Sequence, residues 1–204
     1  MNPHVLLGAI LFACAAIAGL VAAAAICARV EAFEDGPKSG TPPIVALIAG
    51  AALIGGIAGA HNADPGRLAL VAVVTGAFVA AWYCDVARGV VPDLFSLGPM
   101  AVIAAVAFMW HDPRMIVSSL IVVVPFSIAA YLSRGRGMGW GDVKLAAVAG
   151  AMLGASNALL ALALAAFAAA VGAKFRRDET AMQPLAFAPY MIGATALFTA
   201  FTAL

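Results

Sequence analysis

Two carboxylates, Asp85 in WYCDVARGVVPDLFSL and Asp142 in GRGMGWGDVKLAAVAG, each stand where a long apolar stretch meets a short loop. The apolar stretches themselves are almost free of charge. An ionisable side chain persists in such a place where something uses it, because a mid-bilayer charge costs roughly 2.5 to 3.5 kcal/mol on insertion scales. Two such acids point to acid–base work by a carboxylate pair. Like charges held close cannot both ionise cheaply, so the pair holds one proton and donates and accepts at once. The ionised member would deprotonate a water that attacks a carbonyl carbon, and the protonated member would donate to the carbonyl oxygen, with no covalent intermediate.

Other chemistries find less support. Cys14, Cys27 and Cys84 fall within apolar runs and form no CxxC pair, so they read as small core residues rather than a disulfide framework or a zinc site. His4, His61 and His111 come without supporting ligands and no HExxH is present, so no metal or other cofactor is expected. Ser118, Ser119 and Ser127 lie in apolar segments with no histidine on the side of the two acids, which leaves a serine route without its base. An acid just before a helix, as Asp142 is here, is also a good N-cap. The surroundings argue for more than a cap: Gly135, Gly137, Gly139 and Gly141 strip side chains from the approach to Asp142, as a cleft for an extended peptide requires. Val90, Val91 and Pro92 set a defined turn after Asp85.

The elements that must position these acids are membrane helices. Of 204 residues, 65% are hydrophobic and 10% charged, and the mean hydropathy is +1.05, which excludes an ordinary soluble domain and implies an all-α polytopic membrane protein. Uncharged runs extend over Val5–Ala28, Ile44–Ala60, Leu68–Cys84, Leu94–Trp110, Met115–Leu132, Ala155–Ala173 and Pro184–Leu204, each near the ~20 residues that span a bilayer. MNPH lacks a basic residue ahead of the first run, which therefore reads as a retained span rather than a signal peptide. An eighth candidate span, Val143–Gly154, rises only about 18 Å as a helix, so it begins below the membrane surface and carries Asp142 to membrane depth.

Charge decides whether Val143–Ala173 is one helix or two. With a turn at Gly154, Ala155, Ser156 and Asn157, one side of the membrane collects Arg29, Lys38, Arg88, Arg134, Arg136, Lys144, Lys174, Arg176 and Arg177, leaving Arg67 and Arg114 opposite. Fusing the two helices would split the basic residues almost evenly. The positive-inside rule therefore favours about eight spans, with Asp85 and Asp142 both at the cytoplasmic face and both termini across the membrane. GAALIGGIAGA predicts close helix contacts through small residues.

With both acids placed on one face, their motifs resemble a known family. GMGWGDVKL is similar to the GxGD signature of type IV prepilin peptidases, with Gly139, Gly141 and Asp142 in place and Lys144 at the basic position that follows. The family's first signature, an aspartate followed by basic residues and Ile-Pro-Asn, is matched by Asp85, Arg88 and Pro92, with Asp93 where the family prefers Asn. PLAFAPYMIGA resembles the family's C-terminal proline and aromatic stretch through Pro184, Phe187 and Pro189. Presenilin-like proteases share the GxGD element, but the Pro-containing first motif and the small size resemble the bacterial enzymes more.

The resemblance implies an aspartic endopeptidase of the bacterial inner membrane, with Asp85 and Asp142 catalytic and Gly139, Gly141, Arg88, Pro92 and Lys144 shaping the substrate site. It implies two N-terminal membrane helices over residues 1–67, joined by a short cytoplasmic loop, and a six-helix GxGD core over 68–204. The substrate implied is a prepilin-like protein whose short basic leader precedes a hydrophobic helix, and the partners are that substrate, the lipid bilayer and the pilus assembly machinery, with no nucleic acid. Bifunctional members carry a CxxC domain after the first span; this chain has only a short polar loop there, so methyltransferase activity is not expected. Glu31, Glu34 and Asp35 in that loop are candidates for steering a basic leader. The competing reading is a small proton- or cation-coupled transporter, whose acids would sit near mid-membrane rather than at helix ends.

Overall fold

The computed structural model describes residues 2–29, 43–61, 64–132, 139–175 and 187–202. Outside that set lie the steering candidates Glu31, Glu34 and Asp35, the glycines Gly135 and Gly137, the basic residues Lys38, Arg134, Arg136, Arg176 and Arg177, and Pro184. Among the described residues the secondary structure is entirely helical: α1 (Pro3–Cys27), α2 (Ile44–His61), α3 (Pro65–Arg88), α4 (Leu94–Met109), α5 (Arg114–Leu132), α6 (Trp140–Phe175) and α7 (Ala188–Thr202). Five of them, α1, α2, α3, α5 and α6, are long and apolar enough to cross a membrane, and α4 and α7 are shorter apolar helices. This is the polytopic all-α architecture expected from composition.

Local chemistry sets the helix starts. Asn2 and Asp64 each precede a proline at the first helical position, and their side chains accept the His4 and Gly66 amides at 3.1 and 2.9 Å, which satisfies an N–H the helix leaves without a partner. Large apolar side chains such as Val45, Phe108 and Leu53 point outward, as lipid-facing positions do. The packed interior is built instead from Ala, Gly and a few large residues such as Phe12, Ile103 and Leu162. A Cβ added at Gly8 would land on the Gly55 carbonyl, one at Gly59 on the His4 carbonyl, and one at Gly19 on the Gly76 carbonyl. Close backbone approach through small residues thus joins α1 to both α2 and α3, as the glycine-rich α2 sequence predicted.

The helix labelled α6 is broken at Gly154, whose φ of 74° and ψ of 159° lie outside the helical region. The break is a reversal. The Ala188 amide is directed at the Asp85 carboxylate, which lies within electrostatic reach of Asp142, and a side chain at Gly172 would run into the hydroxyl of Tyr190, two residues after Ala188 in α7. A straight helix would instead place Gly172 about 45 Å from Asp142. Residues 155–175 therefore return to the side on which 140–153 began, and Asn157 Nδ2 donates to the Leu153 carbonyl at 3.3 Å across the break. The two-arm reading from charge counting describes this hairpin. The larger boundary differences are that α3 extends over Pro65–Arg88 beyond the Leu68–Cys84 run, that α6 begins at Trp140 rather than Val143, and that α7 begins at Ala188 rather than Pro184.

Candidate active site

Asp85 occupies the last turn of α3 because the helix is stopped four residues later. Gly89, at φ 69°, donates its amide to the Asp85 carbonyl at 2.8 Å, a left-handed helix end that glycine adopts without a Cβ penalty. Val90, Val91 and Pro92 then carry the chain into α4, and the Pro92 carbonyl accepts the Phe95 amide at 3.0 Å. Asp85 is only 9% exposed, and its Oδ2 finds no hydrogen-bond partner among the described residues. A buried polar atom without a partner costs about 1 to 3 kcal/mol.

Asp142 sits at the opposite kind of helix end. It is the third residue of α6 rather than the cap before it, and its Oδ2 accepts the Gly139 amide at 3.1 Å. An acid reaching back from the first turn is one half of a capping box, favoured by the positive end of the helix dipole. The N-cap role anticipated for Asp142 is therefore shifted by one turn: the acid anchors the helix start from inside it.

The structure brings the two motifs together. Gly141 packs toward Val91, where an added Cβ would come within 3.5 Å of the valine Cβ. Lys144 of α6 forms an ion pair with Asp93 of the α3–α4 connection. Asp93, the acid standing where the family prefers Asn, is thus engaged with Lys144 and its side chain is 65% exposed. Arg88 is the half-buried final residue of α3, with no ion pair among the described residues, and Pro92 is half-buried in the link. Gly139 and Gly141 face only ordinary van der Waals neighbours, at 3.5 Å or more. The fold would therefore accept a methyl group at either, so packing does not require glycine at these two positions.

Two contributors escaped the sequence reading. The start of α7 lies at the site, with Ala188 presenting its amide to Asp85 and the Phe187 carbonyl accepting the Tyr190 amide at 3.0 Å to begin the helix. Phe187 and Pro189 in the C-terminal motif were the available signal. The cysteine expectation also needs correction. Cys27 at the end of α1 is joined to Cys84, the neighbour of Asp85, with Cα atoms 6.1 Å apart. Both are buried as expected, but they are partners rather than independent core residues; Cys14 is free and exposed. Their separation of 57 residues hid the pairing.

A sequence profile of the type IV leader peptidase family matches residues 72–174, just over half of the chain. The matched stretch holds both acids, the turn after Asp85 and the whole GxGD segment. No significant match is found among the curated proteins or the solved structures.

Proposed function

The chain belongs to the type IV leader peptidase family, and from that premise we propose that Asp85 and Asp142 form its water-activating pair, removing the basic leader of type IV prepilin-like proteins at the cytoplasmic face of the bacterial inner membrane. The observation that carries this reading is the meeting of two acids from separate motifs at one partly enclosed point, Asp85 with an oxygen left open and Asp142 held from behind by a backbone amide.

On this reading the pair shares one proton. The ionised carboxylate takes a proton from a water placed between the two, the resulting hydroxide attacks the scissile carbonyl, and the protonated partner donates to the carbonyl oxygen. Collapse of the tetrahedral species returns a proton to the leaving amine and restores the pair. The Gly141–Val91 contact, with the weaker Lys144–Asp93 surface pair beside it, ties the segment bearing Asp142 to the turn after Asp85. That linkage preserves the spacing on which the proton exchange depends. Nine of the basic residues on the side assigned to the cytoplasm support the orientation.

The test is co-expression with a prepilin-like protein, following leader removal by gel mobility and mass spectrometry. Asp85→Asn and Asp142→Asn should each lower cleavage about 10³-fold or more. Undiminished cleavage by either variant would sink the pairing, and ion flux that depends on these acids in place of cleavage would favour the transporter.

A further inference from the structure

A cavity of about 220 Å³ opens between α2, α3 and α7, with Met152 of α6 at its back. Its α3 wall is Val71, Val74, Thr75, Phe78, Val79 and Trp82, a spacing of three and four that marks one face of a helix. The next position on that face is Asp85. On α7, Ile192, Gly193 and Ala196 line the cavity, and Ala188, whose amide addresses Asp85, lies one turn before Ile192. On α2, Leu47, Gly50 and Ile54 repeat the spacing. Val71 to Trp82 measures roughly 16 Å along the helix, about half of a ~30 Å hydrocarbon core. The cavity is thus an apolar groove about half a hydrocarbon core in length, whose α3 wall ends one turn short of Asp85.

We propose that this groove seats the first turns of the substrate's own apolar helix, the segment immediately after the cut. The proposal rests on the peptidase reading and specifies how that site holds its substrate. A bond cut at the start of a membrane helix must lie at the carboxylates while the helix continues into the bilayer, and the wall of this groove begins at Trp82, one helical turn from Asp85, and runs away from it along α3. Its walls suit a peptide helix better than a lipid tail. In lipid, helices associate through small residues that let backbones approach, and Ala46, Gly50, Ala51, Gly193 and Ala196 supply them. The volume suits one large apolar side chain from such a helix, since an apolar cavity of about 150 Å³ accepts a benzene ring. Helix-in-groove recognition with anchors three and four residues apart is the resulting mode.

Gly50 and Gly193 make the groove testable, because a Cβ at either meets nothing within 4 Å. Gly50→Leu and Gly193→Leu fill the groove without striking the fold, which a thermal melt verifies. The full-length enzyme is reconstituted in phosphatidylethanolamine–phosphatidylglycerol vesicles and given two substrates: a prepilin-like protein with its helix, and the same leader and cut site truncated a few residues later. Each variant should lower kcat/KM for the helix-bearing substrate about tenfold, through KM, and lower its ratio to the truncated substrate by the same factor. Leu53→Phe, on the lipid-facing side of α2 and 66% exposed in the wild type, should move neither value. An unchanged ratio, or equal loss on both substrates, would overturn the groove while leaving the peptidase intact. A wild-type enzyme that cuts neither substrate overturns the peptidase reading and the groove with it. Independently, a benzophenone side chain at position 193 in an Asp142→Asn background should crosslink to the substrate helix. Adducts with lipid alone would overturn the assignment.

Discussion

On α2, a side chain at Gly55 would strike the Gly8 carbonyl and the Phe12 side chain, whereas one at Gly50 would meet nothing. The same residue type on one helix closes a seam on one face and keeps a space open on another. The seam continues through Gly59 to His4 and, on α3, through Gly76 to Ala15 and Gly19. The open set continues through Gly193 in the cavity wall, and Gly139 and Gly141 at the mouth beside Asp142, where a Cβ would find only ordinary contacts. The difference separates what the fold requires from what the site requires. A seam glycine is fixed by its neighbour's backbone; a mouth or groove glycine is fixed by something that must enter.

Enlarging each kind in turn would break or sharpen this division. The largest effect is expected at the seam: Gly55→Leu or Gly76→Leu should destabilise the protein by about 3 kcal/mol or more, since the collision is with backbone that has no rotamer to escape into. Unfolding followed in detergent would show it, and wild-type stability in either variant would dissolve the distinction. Next comes Gly154, whose dihedrals belong to a region that residues with a side chain scarcely visit. Gly154→Ala should cost about 2 kcal/mol and loosen the return of 155–175, seen as faster proteolysis near the break. At the mouth, Gly141→Ala should leave the melting temperature unchanged yet lower cleavage roughly threefold to tenfold by crowding the approach to Asp142. A parallel fall in stability would return Gly141 to the seam class. Smallest is the Asp93–Lys144 pair. It is largely exposed, so Asp93→Asn should be tolerated, and a double-mutant cycle with Lys144→Met should give a coupling of at most about 1 kcal/mol.

The sequence makes helices and their order legible because lipid imposes a length and a polarity that need no partner to be read. The turn at Gly154 was legible for the same reason, through the side on which Lys174 falls. Both acids stood out as charges at the ends of uncharged runs. Contacts between distant segments had no comparable signature. The Lys144–Asp93 pair spans 51 residues and the Cys27–Cys84 junction 57, and the Ala188 amide is a backbone group with no side-chain signal. The start of α6 was misplaced because WGD carries little local helix preference; Asp142, by bonding back to the Gly139 amide, starts the helix earlier than the apolar run does. The α2 stripe that lines the cavity was hidden by uniformity, since a helix apolar on every face shows no period that distinguishes one side from another.

The reversal at Gly154 also bears on how the chain enters the membrane during synthesis. The arm that carries Asp142 and Lys144 ends at the break after about 20 Å of rise, too short to stand as a span, with two charged groups in its opening turns. The arm that follows is long and free of charge until Lys174. The expected outcome is that the weaker arm depends on the stronger and that the two insert as one helical hairpin. A nascent chain halted just after Gly154 would leave Asp142 outside the bilayer. Asp85, at the end of α3, would then be in place before Asp142 had a route into the membrane.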